Sequence, residues 1–474
     1  MGYNAYSPCC VTIFVVCCPT PSRNGVWRMI DIDLLSEKLE NRQFREIRQL
    51  LSEENPVDAA ACIESLEVEK GVLVFRILQK DFAVDVFANL FSDMQQAIIE
   101  VLSDREITHI IEELYVDDAV GFLEEMPAGI VKKVLAHAKE DTRAQINTLL
   151  HFPENSAGGI MTVEFVDLKG EMTVAAAFER IRKTGMDKET IYTCYVIDER
   201  RSLVGTVSVR KLLLSGYEEK INSIMDTNII FAKTLDDQEQ VAHQFEKYDL
   251  LSVPVVDSEN RLVGIITVDD IIDIVQQEAT EDFEKMAAIL PSEKPYLKTG
   301  TFTLVKNRLP WLLILMFSAM ITGGILGIFE DAIAAIPLLV TFIPMLTATG
   351  GNAGSQSSTM VIRGMALREV SLKDSLKVLW REVKASLLIG LILSALNYIR
   401  VMIQYPGREP VAITVAISLL FVVVLSQALG GLLPLLAKFF KLDPAVMAAP
   451  LITTIVDAFC LIIFFSIAKV MLQF

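Results

Sequence analysis

The spacing of hydrophobic and polar positions changes several times along this 474-residue chain. Between residues 30 and 150, apolar residues recur at intervals of three and four, as at Leu35 and Leu39, with almost no strand-like alternation. This spacing is typical of amphipathic helices. The pattern predicts an all-α solenoid of helical hairpins over residues 29–157. Similar sequence segments recur within the solenoid at irregular intervals, at residues 58–66, 83–91 and 118–126.

Residues 158–276 show a different pattern, of short β-branched runs. The run Tyr-Val-Ile-Asp at 195–198 and the run Leu-Val-Gly at 203–205 have counterparts at 254–257 and 262–264, at a constant offset of 59 residues. Each half predicts two strands joined by a polar turn and followed by a helix. Units this short cannot each bury a sheet face, so we expect two α/β repeats, 158–222 and 223–277, to pair with one another.

A run of acidic residues begins in the last helix of the second repeat and continues on one helical pattern into a predicted connecting helix, residues 278–304. Acids three and four positions apart share a helical face and repel one another, so a bound cation would stabilise the helix. Carboxylate oxygens are ligands of Mg²⁺ and Ca²⁺. A solvated connector is the alternative, but the run immediately precedes the first long apolar stretch, where altered repulsion could reach a pore. The acids are Asp269, Asp270, Asp273, Glu278, Glu281, Asp282 and Glu284.

The remaining chain, residues 305–474, predicts an all-α membrane domain with five spans. Each apolar stretch is long enough to cross a hydrocarbon core of about 30 Å. The second stretch has a polar continuation that reaches about Met360. The stretches are residues 309–329, 332–349, 385–403, 411–437 and 445–472.

The net charge of −17 combines two opposite parts. Residues 1–300 carry −22, and residues 301–474 carry +5. The acidic part excludes a nucleic-acid binder with a basic domain, and the apolar part excludes a disordered acidic protein. Bases gather in the links between the second and third and between the fourth and fifth stretches. By the positive-inside rule, the acidic body is cytoplasmic and the carboxyl terminus lies outside the cell membrane.

The cysteines do not suggest a disulfide framework. Three of them are scattered singly within apolar patterns, where a buried thiol is usual. Four others lie in residues 1–28, which we expect to be an extension with no role in the fold. Adjacent cysteine pairs could bind zinc but lack the ligand spacing of structural zinc sites. The four are Cys9, Cys10, Cys17 and Cys18.

Polar residues inside the apolar stretches are rare and therefore informative. Asp457 is the only acid in the last stretch, and no Lys or Arg lies in the middle of any stretch. An intramembrane carboxylate without a basic partner favours a role in a cation pathway, and Thr453 lies one turn earlier. Asn352 and Gln356 lie in a polar run at 350–359 and are candidates for pore lining. Hydrogen bonding between helices is the alternative for these two amides.

With these residues in view, the chain resembles the MgtE family of magnesium channels over nearly everything after Met29. The resemblance includes a helical domain closed by Pro-Glu-Asn-Ser-Ala-Gly-Gly-Ile-Met at 153–161 and two CBS repeats. Its most specific motifs are residues 344–358, Asp-Pro-Ala at 443–445, and Pro-Leu-Ile-Thr-Thr-Ile-Val-Asp at 450–457.

This resemblance implies a homodimer in a lipid bilayer, with a pore in which Asp457 from each chain holds a hydrated Mg²⁺. It also implies that cytosolic Mg²⁺ closes the gate by bridging acids that otherwise repel. The family's sensing acids are matched by Asp237, Glu239, Asp249, Asp270, Asp273, Glu278, Glu281 and Asp282. Asp117 and Asp118 are the candidates from the helical domain.

The CBS repeats also imply a binding site for ATP or another adenine nucleotide. In the second repeat, Thr267 followed by Asp270 resembles the family's contact to a ribose. The first repeat departs from this motif, because Arg210 and Lys211 follow Ser208. Arg210 could meet a phosphate. CBS pairs also serve as structure alone, and the sequence leaves both readings open.

Other functions fit the sequence less well. A transporter of Mn²⁺, Co²⁺ or Ni²⁺ is the alternative within the same class. An anion or organic-solute transporter should show deep bases, and a membrane-anchored nucleotide sensor leaves Asp457 unexplained. An intramembrane hydrolase lacks a His in any span, so we expect no enzyme activity.

Overall fold

The computed structural model describes residues 20–21, 27–28, 32–292, 296, 299–447 and 449–473. Two compact units, Met1–Val275 and Gln276–Phe474, divide the chain. The short strands β1 (Thr20–Pro21) and β2 (Trp27–Arg28) pair in an antiparallel manner. The zinc alternative for the four amino-terminal cysteines lies outside the described residues.

Residues 32–149 form successive helices of nine or ten residues. Helices two apart along the chain contact one another, as in a solenoid, and their apolar faces share one core that contains Phe75, Phe87 and Phe122. Local signals set several helix starts: Asn55 accepts from the Val57 amide, and Ser103 with Glu106 forms a capping box. The helices are α1 (Ile32–Glu40), α2 (Phe44–Ser52), α3 (Pro56–Glu64), α4 (Val68–Ile77), α5 (Lys80–Ala88), α6 (Ser92–Val101), α7 (Asp104–Glu113), α8 (Val116–Glu124), α9 (Ala128–His137) and α10 (Glu140–Leu149).

Two α/β repeats complete the first unit. In each, the first strand runs parallel to the second, which pairs antiparallel with the third. The same register shift follows Val196 and Val255, which occupy equivalent positions in the two repeats. The first repeat contains β3 (Asp167–Lys169), α11 (Val174–Thr184), β4 (Thr193–Ile197), β5 (Leu203–Ser208), α12 (Val209–Leu214) and α13 (Ile221–Ile224). The second contains β6 (Ala232–Lys233), α14 (Gln238–Tyr248), β7 (Ser252–Val256), β8 (Leu262–Thr267) and α15 (Val268–Met286).

The two repeats pack against one another through equivalent positions. The Leu203 amide donates to the Asn260 carbonyl, and the Leu262 amide donates to the Arg201 carbonyl. Arg201 and Asn260 both adopt a φ of 66° in the polar turn. The buried Tyr195 hydroxyl lies 2.7 Å from the Ser252 hydroxyl across the pair. The expectation that the repeats pair with one another is therefore confirmed.

The connecting helix differs from its predicted bounds of 278–304. Helix α15 begins at Val268 as the last helix of the second repeat and ends at Met286. Residues 287–292 are not helical, and the next helix begins at Thr301. The acidic run and the repeat's own helix are one element, because no break residue lies between them.

The second unit is helical. Four of its described helices are long and apolar enough to cross a membrane, counting the short turns that lead into two of them. Helix α18 spans 24 residues, about 36 Å, but is too polar to be counted with these four. The five-span count therefore remains a prediction. The helices are α16 (Thr301–Ile328), α17 (Glu330–Ala335), α18 (Ile343–Ala366), α19 (Ser375–Gln404), α20 (Glu409–Phe439) and α21 (Ala449–Leu472).

The polar run at 350–359 lies inside continuous helix α18, and the backbone irregularity lies earlier, at the 3₁₀ turn Pro337–Phe342. Its glycines allow close helix packing. A Cβ added to Gly430 of α20 would overlap the Gly354 carbonyl oxygen. A Cβ on Gly351 would lie 2.9 Å from Thr453 Cγ2 of α21. The glycines of this run thus let α18 pack closely against α20 and α21.

Candidate cation sites

An acidic groove of about 420 Å³ lies in the first unit, between helix α8 and the start of α15. Asp117 and Asp118 come from the first turn of α8. Asp269 and Asp270 come from the first turn of α15, and Glu189 comes from the segment before β4. Asp85 of α5 and Glu113 at the end of α7 also line the groove. The fold thus gathers seven carboxylates from five segments of the chain.

The groove raises the pKa of Asp117, Asp118 and Glu189. Burial, followed by the charges of Asp118 and Asp270, holds the pKa of Asp117 well above its usual value of 3.8. Asp118 has an exposed outer surface, but crowding by protein atoms and the charge of Asp270 raise its pKa to about 6. Burial and the charges of Asp270 and Asp269 raise the pKa of Glu189 to about 7. The groove therefore concentrates negative charge that costs free energy near neutral pH.

Two carboxylate oxygens in this groove lack a partner. Asp117 Oδ1 and Glu189 Oε2 are buried and accept no hydrogen bond from the described part of the chain. Buried acceptors are normally satisfied, so a cation or its hydration waters would fit here. Among the described residues, however, no three His, Cys, Asp or Glu side chains converge as a direct coordination sphere. The groove suits an ion that keeps most of its waters.

Neighbouring hydrogen bonds hold the groove walls in place. Glu164 Oε2 accepts from the Thr162 hydroxyl at 2.6 Å and from the Val116 amide at 3.4 Å, so it ties the segment before β3 to the start of α8. The buried Thr267 hydroxyl donates to Asp270. Burial raises the pKa of Asp270, although this hydrogen bond opposes the rise. Of the predicted ribose contact, Asp270 therefore lines the acidic groove, and Thr267 is hydrogen-bonded to it.

Arg210, the proposed phosphate contact, lies exposed on the first turn of α12. The Ser208 side chain caps this helix by accepting from the Lys211 amide. The site formed by Arg210, Thr267 and Asp270 stays a prediction.

The acids predicted on α14 lie apart from one another. Asp237 caps its amino terminus by accepting from the Glu239 amide at 3.0 Å, and Asp249 ends it with a φ of 50°. A helix of eleven residues separates these ends by about 16 Å, so one ion cannot contact both. All three acids are exposed. Asp273, Glu278, Glu281 and Asp282 lie further along α15.

The candidate pore residues occupy two helices that are in contact. Asn352 and Gln356 lie one turn apart on the exposed face of α18. Thr453 and Asp457 lie one turn apart on α21, and both are half-buried. Thr453 packs directly against Gly351, next to Asn352 in sequence.

Two details of α21 bear on cation binding. The Thr453 hydroxyl donates to the Pro450 carbonyl at 2.9 Å, which leaves its lone pairs available as acceptors. In the described part of the chain, no Lys or Arg lies within ion-pair distance of Asp457.

Sequence reasoning missed several residues that the structure brings into play. Glu189 and Glu164 lie in loops of the first repeat and on no helical face, and only their position in the fold shows their proximity to α8. Lys285 was also missed. It contacts Glu281 at 2.6 Å and Asp443 at 2.7 Å, so Glu281 already has a cationic partner.

Comparisons with known proteins agree with this architecture. The MgtE profile, described as "Divalent cation transporter", matches residues 343–467, and the MgtE intracellular N domain profile matches residues 54–155. CBS domain profiles match residues 157–216 and 221–277. A crystal structure of the cytosolic domain of the Mg²⁺ channel MgtE in complex with ATP is 34% identical, with a TM-score of 0.49, and covers 52% of this chain and all of that one.

Two full-length relatives are similar over most of the chain. The magnesium transporter MgtE of Thermus thermophilus is 35% identical over 443 residues, which cover 93% of this chain and 98% of the relative. The magnesium transporter MgtE of Bacillus subtilis is 34% identical over 430 residues, which cover 91% and 95%. These matches cover more than nine-tenths of the chain, which includes the helical domain, the CBS pair and the apolar helical unit. We conclude that this chain is a member of the MgtE family.

Proposed function

We propose that the protein conducts Mg²⁺ across the cell membrane and closes when cytosolic Mg²⁺ rises. The observation that carries the proposal is the polar face of α21 and α18 within otherwise apolar helices. Two relatives also support the proposal, because they are 34–35% identical over more than nine-tenths of the chain and are named magnesium transporters. In this proposal α18 is the fifth span, the first unit is cytoplasmic and the carboxyl terminus lies outside.

The proposed pore binds its ion through water. Asp457 supplies the charge, and Thr453, Asn352 and Gln356 supply neutral oxygens that can accept from the ion's waters. Mg²⁺ releases its waters reluctantly, so contacts of this kind select it without stripping its shell. A single carboxylate per chain gives little selectivity for a divalent ion, whereas a homodimer places two of them around one pathway.

The proposed sensor is the acidic groove. Without a divalent cation, Asp117, Asp118, Asp269, Asp270 and Glu189 repel one another, and the walls of the groove separate more easily. A hydrated Mg²⁺ in the groove offsets this repulsion and favours the arrangement with closed walls. Because the ion binds one arrangement more tightly than the other, it shifts the balance between them.

Helix α15 is the proposed transmission element. It begins with Asp269 and Asp270 in the groove and continues without a break to Met286. A change at its first turn therefore moves a rigid rod whose far end is followed, after a short link, by helix α16. Asp273, Glu278 and Asp282 would respond to the same ion along this rod.

A transporter of Mn²⁺, Co²⁺ or Ni²⁺ is the alternative. The polar faces of α18 and α21 offer oxygen donors, and oxygen donors suit Mg²⁺ and Mn²⁺ better than the softer Co²⁺ and Ni²⁺. Competition of each ion with Mg²⁺ uptake separates these cases. Binding of ATP at Arg210 and Thr267 is a further part of the proposal, tested by titrating ATP against the Arg210→Ala variant.

The pore proposal is tested by Mg²⁺ uptake into proteoliposomes. Asp457→Asn keeps the shape of the side chain and removes its charge, which is the only full charge among the proposed pore residues. Mg²⁺ uptake should therefore fall at least tenfold, which corresponds to about 1.4 kcal/mol. Glu409→Gln, an exposed acid at the start of α20, is the matched control and should transport normally. Normal uptake by Asp457→Asn would refute the pore assignment.

The sensor proposal is tested separately, by conduction at millimolar internal Mg²⁺. The combined variant Asp118→Asn, Glu189→Gln and Asp270→Asn should stay open where the parent chain closes. Glu199→Gln, an exposed acid in the turn between β4 and β5, is the control. Closure of the combined variant at the parent's Mg²⁺ concentration would exclude the groove as the sensor.

A further inference from the structure

Lys285, in the last turn of α15, lies between two carboxylates of the second unit. Its ammonium nitrogen is 2.6 Å from Glu281 Oε1, one turn earlier on α15, and 2.7 Å from Asp443 Oδ2, in the link between α20 and α21. Three quarters of the Lys285 side chain is buried. Its burial alone would lower the pKa of Lys285, but the hydrogen bonds to Asp443 and Glu281 raise it, so the charge is retained at neutral pH. The ammonium is thus a cation supplied by the chain itself.

Asp443 carries this contact onward. Its second oxygen, Oδ1, accepts from the Ala445 amide at 2.8 Å and so begins the 3₁₀ turn Pro444–Met447. The carbonyl of Met447 accepts from the Ser358 hydroxyl at 2.9 Å, and Ser358 is fully buried in α18. A chain of hydrogen bonds therefore joins α15, through the turn before α21, to the helix that carries the candidate pore amides.

The other side of α18 is held independently. The Ser357 hydroxyl lies 2.8 Å from Glu382 Oε2 of α19 and 2.9 Å from the Gln427 carbonyl of α20. Helix α18 is thus fixed to α19 and α20 at Ser357, while Ser358 holds the turn that leads toward Asp457. Displacing the turn therefore alters the hydrogen bond between Ser358 and Met447, while the hydrogen bonds of Ser357 stay in place.

The charge balance of α15 explains why a base is needed here. Residues 276–286 contain four acids and the single base Lys285. Bringing Glu281 of this segment to Asp443 without a cation would place two carboxylates side by side, which repel. Lys285 removes that repulsion at every Mg²⁺ concentration.

We propose that Lys285 is a latch that joins the acidic helix α15 to the Asp443 turn and thereby lowers the Mg²⁺ concentration needed to close the pore. This inference rests on the proposed function, because closure by Mg²⁺ is the event that the latch favours. The latched contact brings acids together, as the proposed closed arrangement does. Removing the ammonium leaves Glu281 and Asp443 facing one another, so closure must then overcome their repulsion.

The test compares the Mg²⁺ concentration that halves conduction in full-length chains in proteoliposomes. Lys285→Met and Asp443→Asn should each raise this concentration roughly fivefold, the upper range for a partly exposed ion pair of good geometry. Lys285→Arg keeps the charge and should behave as the parent chain. Lys373→Met, an exposed base outside the network, is the matched control. Asn at position 443 can still accept from the Ala445 amide, so the turn itself is preserved.

The double variant Lys285→Met with Asp443→Asn separates a latch from two unrelated effects. Because the two residues act as one pair, the double variant should shift no further than either single variant. The proposal would be overturned if the shift of the double variant equalled the product of the two single shifts. It would also be overturned if Lys285→Met closed at the same Mg²⁺ concentration as the parent chain or at a lower one.

A second measurement does not depend on transport. Amide hydrogen exchange of residues 276–290 in the solubilised full chain without Mg²⁺ should quicken at least threefold in Lys285→Met and Asp443→Asn, and stay unchanged in Lys285→Arg. If the parent chain fails to close with Mg²⁺ while this exchange pattern holds, the sensor proposal fails and the contact stands. If exchange is the same in all variants, the latch is absent.

Discussion

Glu189 gives the sharpest test of the acidic groove, because its pKa lies nearest to neutral pH. Burial and the charges of Asp270 and Asp269 raise the pKa of Glu189 from the usual 4.5 to about 7. The perturbation is Glu189→Gln, which keeps the size and shape of the side chain, replaces one carboxylate oxygen by an amide NH₂ group and removes the charge. It leaves the other six acids of the groove in place.

The magnitude follows from the difference between the folded and unfolded pKa of Glu189. Each unit of pKa is worth about 1.4 kcal/mol, so the full difference corresponds to roughly 3 kcal/mol as an upper limit. The groove is open to solvent and Glu189 is only half-buried, so screening reduces the cost of its charge to about 1 kcal/mol. For a unit of this size, that is about 2–4 °C in melting temperature.

The sign of the pH dependence is fixed by the direction of the change. The folded state holds the Glu189 proton more tightly than the unfolded state does. Stability from this group is therefore fully present below about pH 4.5 and is lost as the pH rises toward 7. In Mg²⁺-free buffer, the first unit of the parent chain should melt at a lower temperature at pH 8 than at pH 5.5, and Glu189→Gln should show a smaller drop.

The assay is thermal unfolding of the full-length chain in detergent, followed by circular dichroism at pH 5.5 and pH 8, with and without Mg²⁺. Comparing Glu189→Gln with the parent cancels the contributions of the four histidines. Mg²⁺ should raise the melting temperature mainly at pH 8, and less in Glu189→Gln. Glu199→Gln is the control. A Glu189→Gln variant that is less stable than the parent at pH 8 would refute the argument that charge repulsion strains the groove.

Three further predictions concern packing and capping. Gly430→Ala should destabilise the second unit by about 1–3 kcal/mol in detergent unfolding, because the new Cβ would overlap the Gly354 carbonyl oxygen. Gly327→Ala, with open space around it, is the control, and equal stability of the two variants would contradict the prediction. Tyr195→Phe should cost the first unit about 1 kcal/mol by removing the hydrogen bond to Ser252, while the exposed Tyr192→Phe should be neutral; a neutral Tyr195→Phe would argue against that bond. Asp237→Ala should lose about 1 kcal/mol of stability and Asp237→Asn almost none, because Asn also caps helices. If Asp237→Asn nevertheless raises the Mg²⁺ concentration needed for closure, Asp237 acts through its charge. An unchanged Mg²⁺ concentration excludes Asp237 as a sensor.

The fold could be predicted from sequence where a pattern repeats. Period-three-and-four spacing indicated the helices of residues 32–149, and the constant offset between the β-branched runs indicated two matching sheets, because both signals are local or self-similar. The bounds of α15 were less accessible. The acids at 269–284 follow one helical pattern, but the predicted bounds divided it at residue 278, whereas the helix runs from Val268 to Met286.

The candidate site was predicted only in part. Asp117, Asp118 and Asp270 could be singled out, but their meeting in one groove depends on packing between helices that lie far apart in sequence. Glu189 has no pattern of its own. Lys285 was hidden for the opposite reason, because a lone base in an acidic run resembles a surface counter-charge until the position of Asp443 is known.

The constant offset that relates the two CBS repeats has a consequence for their chemistry. Applied to the start of the last helix in each repeat, it aligns Asp269 with Arg210 and Asp270 with Lys211. Two repeats with the same strand order therefore carry two acids in one copy where the other copy carries two bases. The two copies therefore differ in the sign of charge at the same two positions, although the fold around these positions is shared.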